Sequence, residues 1–175
     1  MACDARRRQK VRGRKAARRR TKRGPRRGDR VDQGSRLIPH SAGEWPVYAA
    51  AVSRGWERGL AEVTVVRRGP LGQMALGVFL VDLQCLGVKN AIAHLFPSAA
   101  DYHAFHGRQT PAQPIELNLA AKIVDAGITY AAQLGFRPHP DYHRARVVLE
   151  NADPQACSVE VPVGGPNAKP LFVCG

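Results

Sequence analysis

Residues 74–91 read MALGVFLVDLQCLGVKNA, an apolar run interrupted by Asp82, Gln84 and a few small residues. Met74, Leu76, Val78 and Leu80 would share one face of a strand, and Ala75, Gly77, Phe79 and Val81 the other. A strand apolar on both faces suits the centre of a sheet covered by helices, so this stretch marks the core. Just before it, residues 61–68 alternate Val63 and Val65 with Thr64 and Val66, and Gly69-Pro70-Leu71-Gly72 supplies turn chemistry. An antiparallel hairpin is the expected result.

Helices are expected on either side of this hairpin. Pro46 suits a first helical turn, Val47, Ala50 and Ala51 recur at helical spacing, and Gly55 and Gly59 bracket the exit. Trp45 and Trp56 flank that short helix and should anchor it. Residues 88–96 read as a helix ending before Pro97. Residues 98–106 read as another, with Ser98 as N-cap and Asp101 at the capping-box position. Residues 107–114 form a Pro-containing loop. The longest helix is predicted over residues 115–134, where Leu119, Ile123, Gly127, Tyr130 and Leu134 fall close to one face. Gly135 fits its left-handed C-terminal position and Pro138 prevents continuation. A shorter helix is expected over residues 140–151. Residues 158–163 and 169–174 are β-rich runs joined by Gly164-Gly165-Pro166-Asn167, a second hairpin. The predicted fold class is α+β, with two β-hairpins forming an antiparallel sheet packed with several helices and preceded by a disordered basic tail.

Charge defines that tail. Residues 1–30 hold fifteen Lys and Arg against Asp4 and Asp29, a balance of +13. The whole chain has 27 basic and 14 acidic residues, so residues 31–175 hold twelve of each and are neutral. With Val11 its only large apolar residue after Met1, the leader buries too little surface to offset chain entropy. It has neither the apolar core of a secretory signal nor the apolar face of a transit helix, and no later run approaches a membrane span. Residues 31–43, with Gly, Ser and Pro around Leu37 and Ile38, read as linker. The expected division is therefore a disordered Arg-rich tail and linker over 1–43 and one α+β domain over 44–175.

The leader also carries the clearest functional signal. Arg6, Arg7, Arg8, Arg12, Arg14, Lys15, Arg18, Arg19, Arg20, Lys22, Arg23, Arg26 and Arg27 are the candidate contacts to RNA or DNA phosphates. Twelve Arg to three Lys over residues 1–30 favours bidentate phosphate contact. No aromatic residue interleaves these charges, so the tail is not expected to stack on bases or read sequence. Against this stands a solvated extension with no specific partner, or an anionic membrane or protein partner.

Other candidate chemistry is sparser. His103 and His106 form an HxxH pair, with His94, His139 and His143 as possible third ligands, yet no ExxH partner stands near. Asp82, Cys85 and Lys89 punctuate the core stretch. A nucleophilic Cys85 would need a nearby cation or helix N-terminus; the alternative is a buried small hydrophobe beside a strand-end Asp and a solvated Lys. Cys3, Cys85, Cys157 and Cys174 contain no CxxC pair, so reduced thiols are expected. The glycine-rich turns precede no helix, as a phosphate loop would require. No catalytic residue, cofactor or metal is assigned.

Several segments carry a family likeness: Val65-Val66-Arg67-Arg68, the run from Ala75 to Asp82, Cys85-Leu86-Gly87-Val88-Lys89-Asn90, Leu134-Gly135-Phe136-Arg137-Pro138-His139 with Asp141, and Lys169-Pro170-Leu171-Phe172-Val173. Together they resemble an uncharacterised bacterial protein family with a VDLxCLGVKxA core motif and a terminal GKPLY-like strand. The likeness spans residues 44–175, with Ala168 where the family motif has Gly. It implies a bacterial α+β domain and transfers no activity. The expected function is a non-enzymatic, cytoplasmic nucleic-acid-associated protein whose basic arm binds RNA or DNA with little sequence specificity. The alternatives are a small hydrolase or nuclease with the arm as substrate tether, and a protein-interaction adaptor.

Overall fold

The structure, a computed structural model, describes residues 37–106, 112–166 and 169–171. The basic leader with its candidate phosphate contacts, Cys3, Cys174 and parts of the predicted 107–114 loop and terminal hairpin lie outside those residues. Five strands form one antiparallel sheet in the order β4-β3-β2-β1-β5: β1 (Val47–Ser53), β2 (Leu60–Arg68), β3 (Met74–Asp82), β4 (Gly87–Phe96) and β5 (Ala112–Pro114). Among the described residues three α-helices accompany it: α1 (Ala99–His106), α2 (Leu117–Gln133) and α3 (Tyr142–Ala145). The α+β class follows directly.

The β2–β3 hairpin is the one expected. Its register runs unbroken from Arg68↔Met74 to Leu60↔Asp82, and the turn closes through Gly69 N donating to Gln73 O at 2.8 Å. Phe79, Met74, Leu76 and Val81 are fully buried, as a central strand requires. α1 begins where expected, with Ser98 Oγ accepting from Asp101 N at 3.2 Å and donating to Asp101 Oδ2 at 2.6 Å. α2 ends as expected too: Gly135 sits at φ 85° and Phe136 N reaches back to Ala131 O at 2.9 Å.

Five expectations are corrected. Residues 47–53 are strand, not helix. Their alanines have high helix propensity, but pairing with β2 and burial of Ala50 and Val52 in the main core hold them as strand, so tertiary context overrides propensity. Gly55 and Gly59 instead flank a 3₁₀ turn, Trp56–Arg58, in the β1–β2 connection, and Trp56 is buried in the core. Residues 88–96 are likewise strand. A β-bulge at Lys89, which lies between the pairs Leu80↔Asn90 and Val81↔Val88, breaks the period-2 alternation and hides the strand from a periodicity reading. The predicted terminal hairpin is absent among the described residues. Pro162 and Pro170 cannot donate to a ladder, and the segment instead straps onto the β3–β4 turn, with Gly164 N donating to Leu83 O and Leu171 N to Gln84 O. Part of the 107–114 loop, Ala112–Pro114, is the edge strand β5 beside β1. Residues 37–43, read as linker, also contribute to packing: Ala42 is fully buried, and Ile38 leans on the main core.

The two faces of the sheet differ. One is covered by α2, α3 and the 3₁₀ turn Arg146–Leu149, and holds the main core of Val63, Val65, Phe79, Val81, Ile123, Val124 and Val148. The buried stripe of α2 is Ala120, Ile123, Val124, Gly127 and Ala131, a rotation from the predicted stripe that leaves Leu134 exposed. Small residues set the helix height. A Cβ on Gly127 would lie 2.4 Å from Val81 Cγ1, and one on Gly87 would lie 2.7 Å from Ala131 Cβ and 2.9 Å from Gly127 O. Gly87 also sits at φ 64°, the left-handed region that glycine favours.

Arg67 pins the same face. Its buried guanidinium donates from Nε to Val148 O (2.8 Å), from Nη1 to Trp45 O (2.6 Å) and from Nη2 to Glu150 O. Burial lowers its pKa, partly opposed by the carboxylate of Glu150. One cation thus ties the entry to β1 and the Arg146–Leu149 turn to the central sheet.

Candidate functional site

The opposite face is only partly covered. α1 lies over its upper end, where Val66, Met74, Leu76, Phe96 and Tyr102 form a second, smaller core with Ala49, Val78 and Ala99 packed against it. Lower down, Ala51, Val78, Leu80 and Ile92 are only half-buried.

An aromatic and histidine cluster is built around α1. Tyr102, 3% exposed, packs its ring 5.8 Å from Phe96 and 6.1 Å from Tyr48, both near edge-on. Phe105 lies 5.4 Å from Phe96, and His94 only 4.2 Å from it. Two local features aim these side chains. Helical spacing puts Tyr102 and Phe105 on one side of α1. A β-bulge between the pairs Val47↔Arg67 and Ala49↔Val66 leaves Tyr48 without a cross-strand partner and turns it toward the helix. Tyr48 Oη lies 3.2 Å from His103 Nε2, so the hydroxyl donates when that nitrogen carries no proton. His94 Nδ1 is buried and has no hydrogen-bond partner among the described residues, and burial lowers its pKa. At neutral pH His94 is an uncharged ring.

The Asp82, Cys85 and Lys89 group takes the bland arrangement. Asp82 Oδ1 accepts from Gln84 N (3.0 Å) and Cys85 N (3.1 Å), capping the β3–β4 turn, while Lys89 Nζ lies 3.9 Å from Oδ2. Cys85 is fully buried, and burial, reinforced by the Asp82 charge, raises its pKa. That is the reverse of what a nucleophilic thiol needs.

The histidines divide between the faces. His94 and His103 belong to the aromatic cluster. His139 precedes α3 and His143 lies in it, and its Tyr142 packs on Phe79 at the helix-covered face. His139 Nδ1 accepts from Asp141 N at 3.3 Å. Among the described residues no group of three or more His, Cys, Asp or Glu is placed to hold a metal ion. Asp82 and His103 also stand at opposite ends of β3, so no acid–histidine pair forms there.

Sequence reading missed the cluster because its members are scattered over β1, β4 and α1, and the first two are strands that were read as helix. Its one visible signal was the spacing of Ile92, His94 and Phe96, followed by Tyr102, His103 and Phe105. No helix among the described residues is long and apolar enough to cross a membrane. No family model, curated protein or solved structure matches the chain.

Proposed function

We propose that this protein binds nucleic acid without catalysing a reaction on it, and that its Arg-rich leader supplies the affinity. The observation that carries this reading is charge segregation: the entire +13 lies in residues 1–30, ahead of a neutral remainder. Such a segment neutralises phosphates and releases counterions from either RNA or DNA. Arg6 through Arg27 are the proposed contacts. The hydrolase or nuclease alternative draws no support from the described residues, since Cys85 is sealed in the core and Asp82 is committed to a turn. A bacterial, cytoplasmic setting belongs to the same proposal, its bacterial part resting on the motif likeness of residues 44–175.

The test is binding of the full chain to labelled duplex and single-stranded nucleic acid across a salt series, beside a full-length variant with leader arginines replaced by Gln. If about six cations engage duplex phosphates, log affinity falls with log salt at a slope of about −5. The neutralised variant should lose most affinity and flatten the slope. Equal binding by both proteins would refute the reading.

A further inference from the structure

The leader can grip phosphates but has no ring with which to tell an unpaired base from a stacked one. Among the described residues the exposed large apolar side chains include only two aromatics, Tyr48 (43% exposed) and Phe105 (42% exposed). Both stand on the Phe96–Tyr102 pair. Their ring contacts are edge-on or tilted: Tyr48 meets Tyr102 at 84° and His103 at 65°, and Phe105 meets Phe96 at 46°. Neither is consumed in a parallel stack. The bulge and the His103 contact hold Tyr48 in place, so its ring is pre-positioned.

We infer that Tyr48 and Phe105 form a two-ring platform on which unpaired bases of a single-stranded nucleic acid stack. This inference rests on the nucleic-acid reading above, because the leader of the same chain holds the phosphates. Charge complementarity selects a polyanion as occupant: +13 is carried on the chain that bears the rings. Exposed rings and a cationic segment on one chain are the two ingredients of single-strand binding, and stacking tolerates any base because every base has a π-face. A second copy of the chain fits less well. Two aromatic side chains of roughly 150–250 Å² each, less than half exposed, do not by themselves supply the roughly 800 Å² per partner of a stable interface.

The test uses the full chain and fluorescence anisotropy with two labelled probes, an oligothymidylate of about twelve nucleotides and a duplex of equal phosphate number. The wild-type chain should prefer the single strand, by on the order of tenfold per ring engaged. Y48A/F105A should lose that preference while keeping duplex affinity and salt slope. Y48L/F105L, which keeps apolar bulk without a π-face, should behave like the alanine pair, and Y48F should retain the preference. Equal binding of both probes by the wild-type chain, or a preference that survives both double variants, overturns the platform. In that outcome the leader reading still stands if neutralising its arginines abolishes binding. No binding of either probe by the wild-type chain removes both. A self-association lost in Y48A/F105A, seen by sedimentation, would instead assign the rings to a contact between copies and overturn the inference.

Discussion

Replacing Arg67 with Met keeps the aliphatic stem of the side chain and removes all three donors. The Val148 carbonyl is bonded in a buried setting, while the bonds to Trp45 and Glu150 are only partly buried. Hydrogen bonds to a charged group contribute about 1.5–3 kcal/mol each, and a carbonyl left dry costs about 1–3 kcal/mol. The two partly buried carbonyls recover much of their loss from water; the Val148 carbonyl does not. Relief of the guanidinium's own desolvation offsets part of the total. The expected destabilisation is about 3–4 kcal/mol, a large share of the roughly 5–15 kcal/mol that holds a domain of this size. Urea unfolding followed by the fluorescence of Trp45 and Trp56 would register it. With a slope of about 2 kcal/mol/M the midpoint should fall by about 1.5–2 M. Arg67→Lys, with one point donor in place of a fork, should lie between. A midpoint shift below about 0.5 M for R67M would refute the clamp and show that desolvation cancels the three bonds.

Three further outcomes follow from the packing and the buried groups. Gly87→Ala should cost more than Gly127→Ala in the same assay, by about 1 kcal/mol or more, because Gly87 faces a backbone carbonyl at a left-handed φ while Gly127 meets a valine methyl; the reverse order would show that the α2–β4 approach is softer than its geometry. In peptide-mapped alkylation of the native protein, Cys85 should stay unmodified until denaturant is added, whereas the half-buried Cys157 reacts before it; early labelling of Cys85 would break the assignment of an inert core thiol. Burial lowers His94 below its ordinary value of 6.5, so the unfolded chain takes up this proton first as pH falls. Its contribution to stability is therefore present above pH 6.5 and lost as pH drops through the folded value. Urea titrations at descending pH should show His94→Phe flattening the acid side, and an unchanged slope would exclude His94 as its source.

Legibility in the sequence tracked how local each determinant was. The β2–β3 hairpin announced itself through alternation and a glycine-proline turn, and α2 through its apolar stripe and Gly135. β1 and β4 were misread because their alanines favour helix locally and their strand state depends on distant partners. In β4 the inserted Lys89 also shifts the alternation midway. The rotation of α2 was equally hidden: the helix turns Ala120, Val124 and Ala131 inward in place of Tyr130 and Leu134, and Ala131 meets Gly87 across more than forty residues of sequence. The aromatic cluster required three of these placements at once. The leader's charge needed no fold to be seen.

The same bulge that concealed β4 has a consequence for assembly. An exposed sheet edge is a template for another strand, and proteins blunt it with short edges, proline, lysine or an irregular backbone. β4 carries Lys89 on its bulge, with the side chain 42% exposed, and His139 N already takes the Val88 carbonyl nearby. On the far side β5 is three residues long and ends in Pro114, which has no N–H to offer. An incoming strand therefore finds a kinked, charged margin on one side and a stub on the other. Growth of the sheet into fibres is disfavoured at both margins.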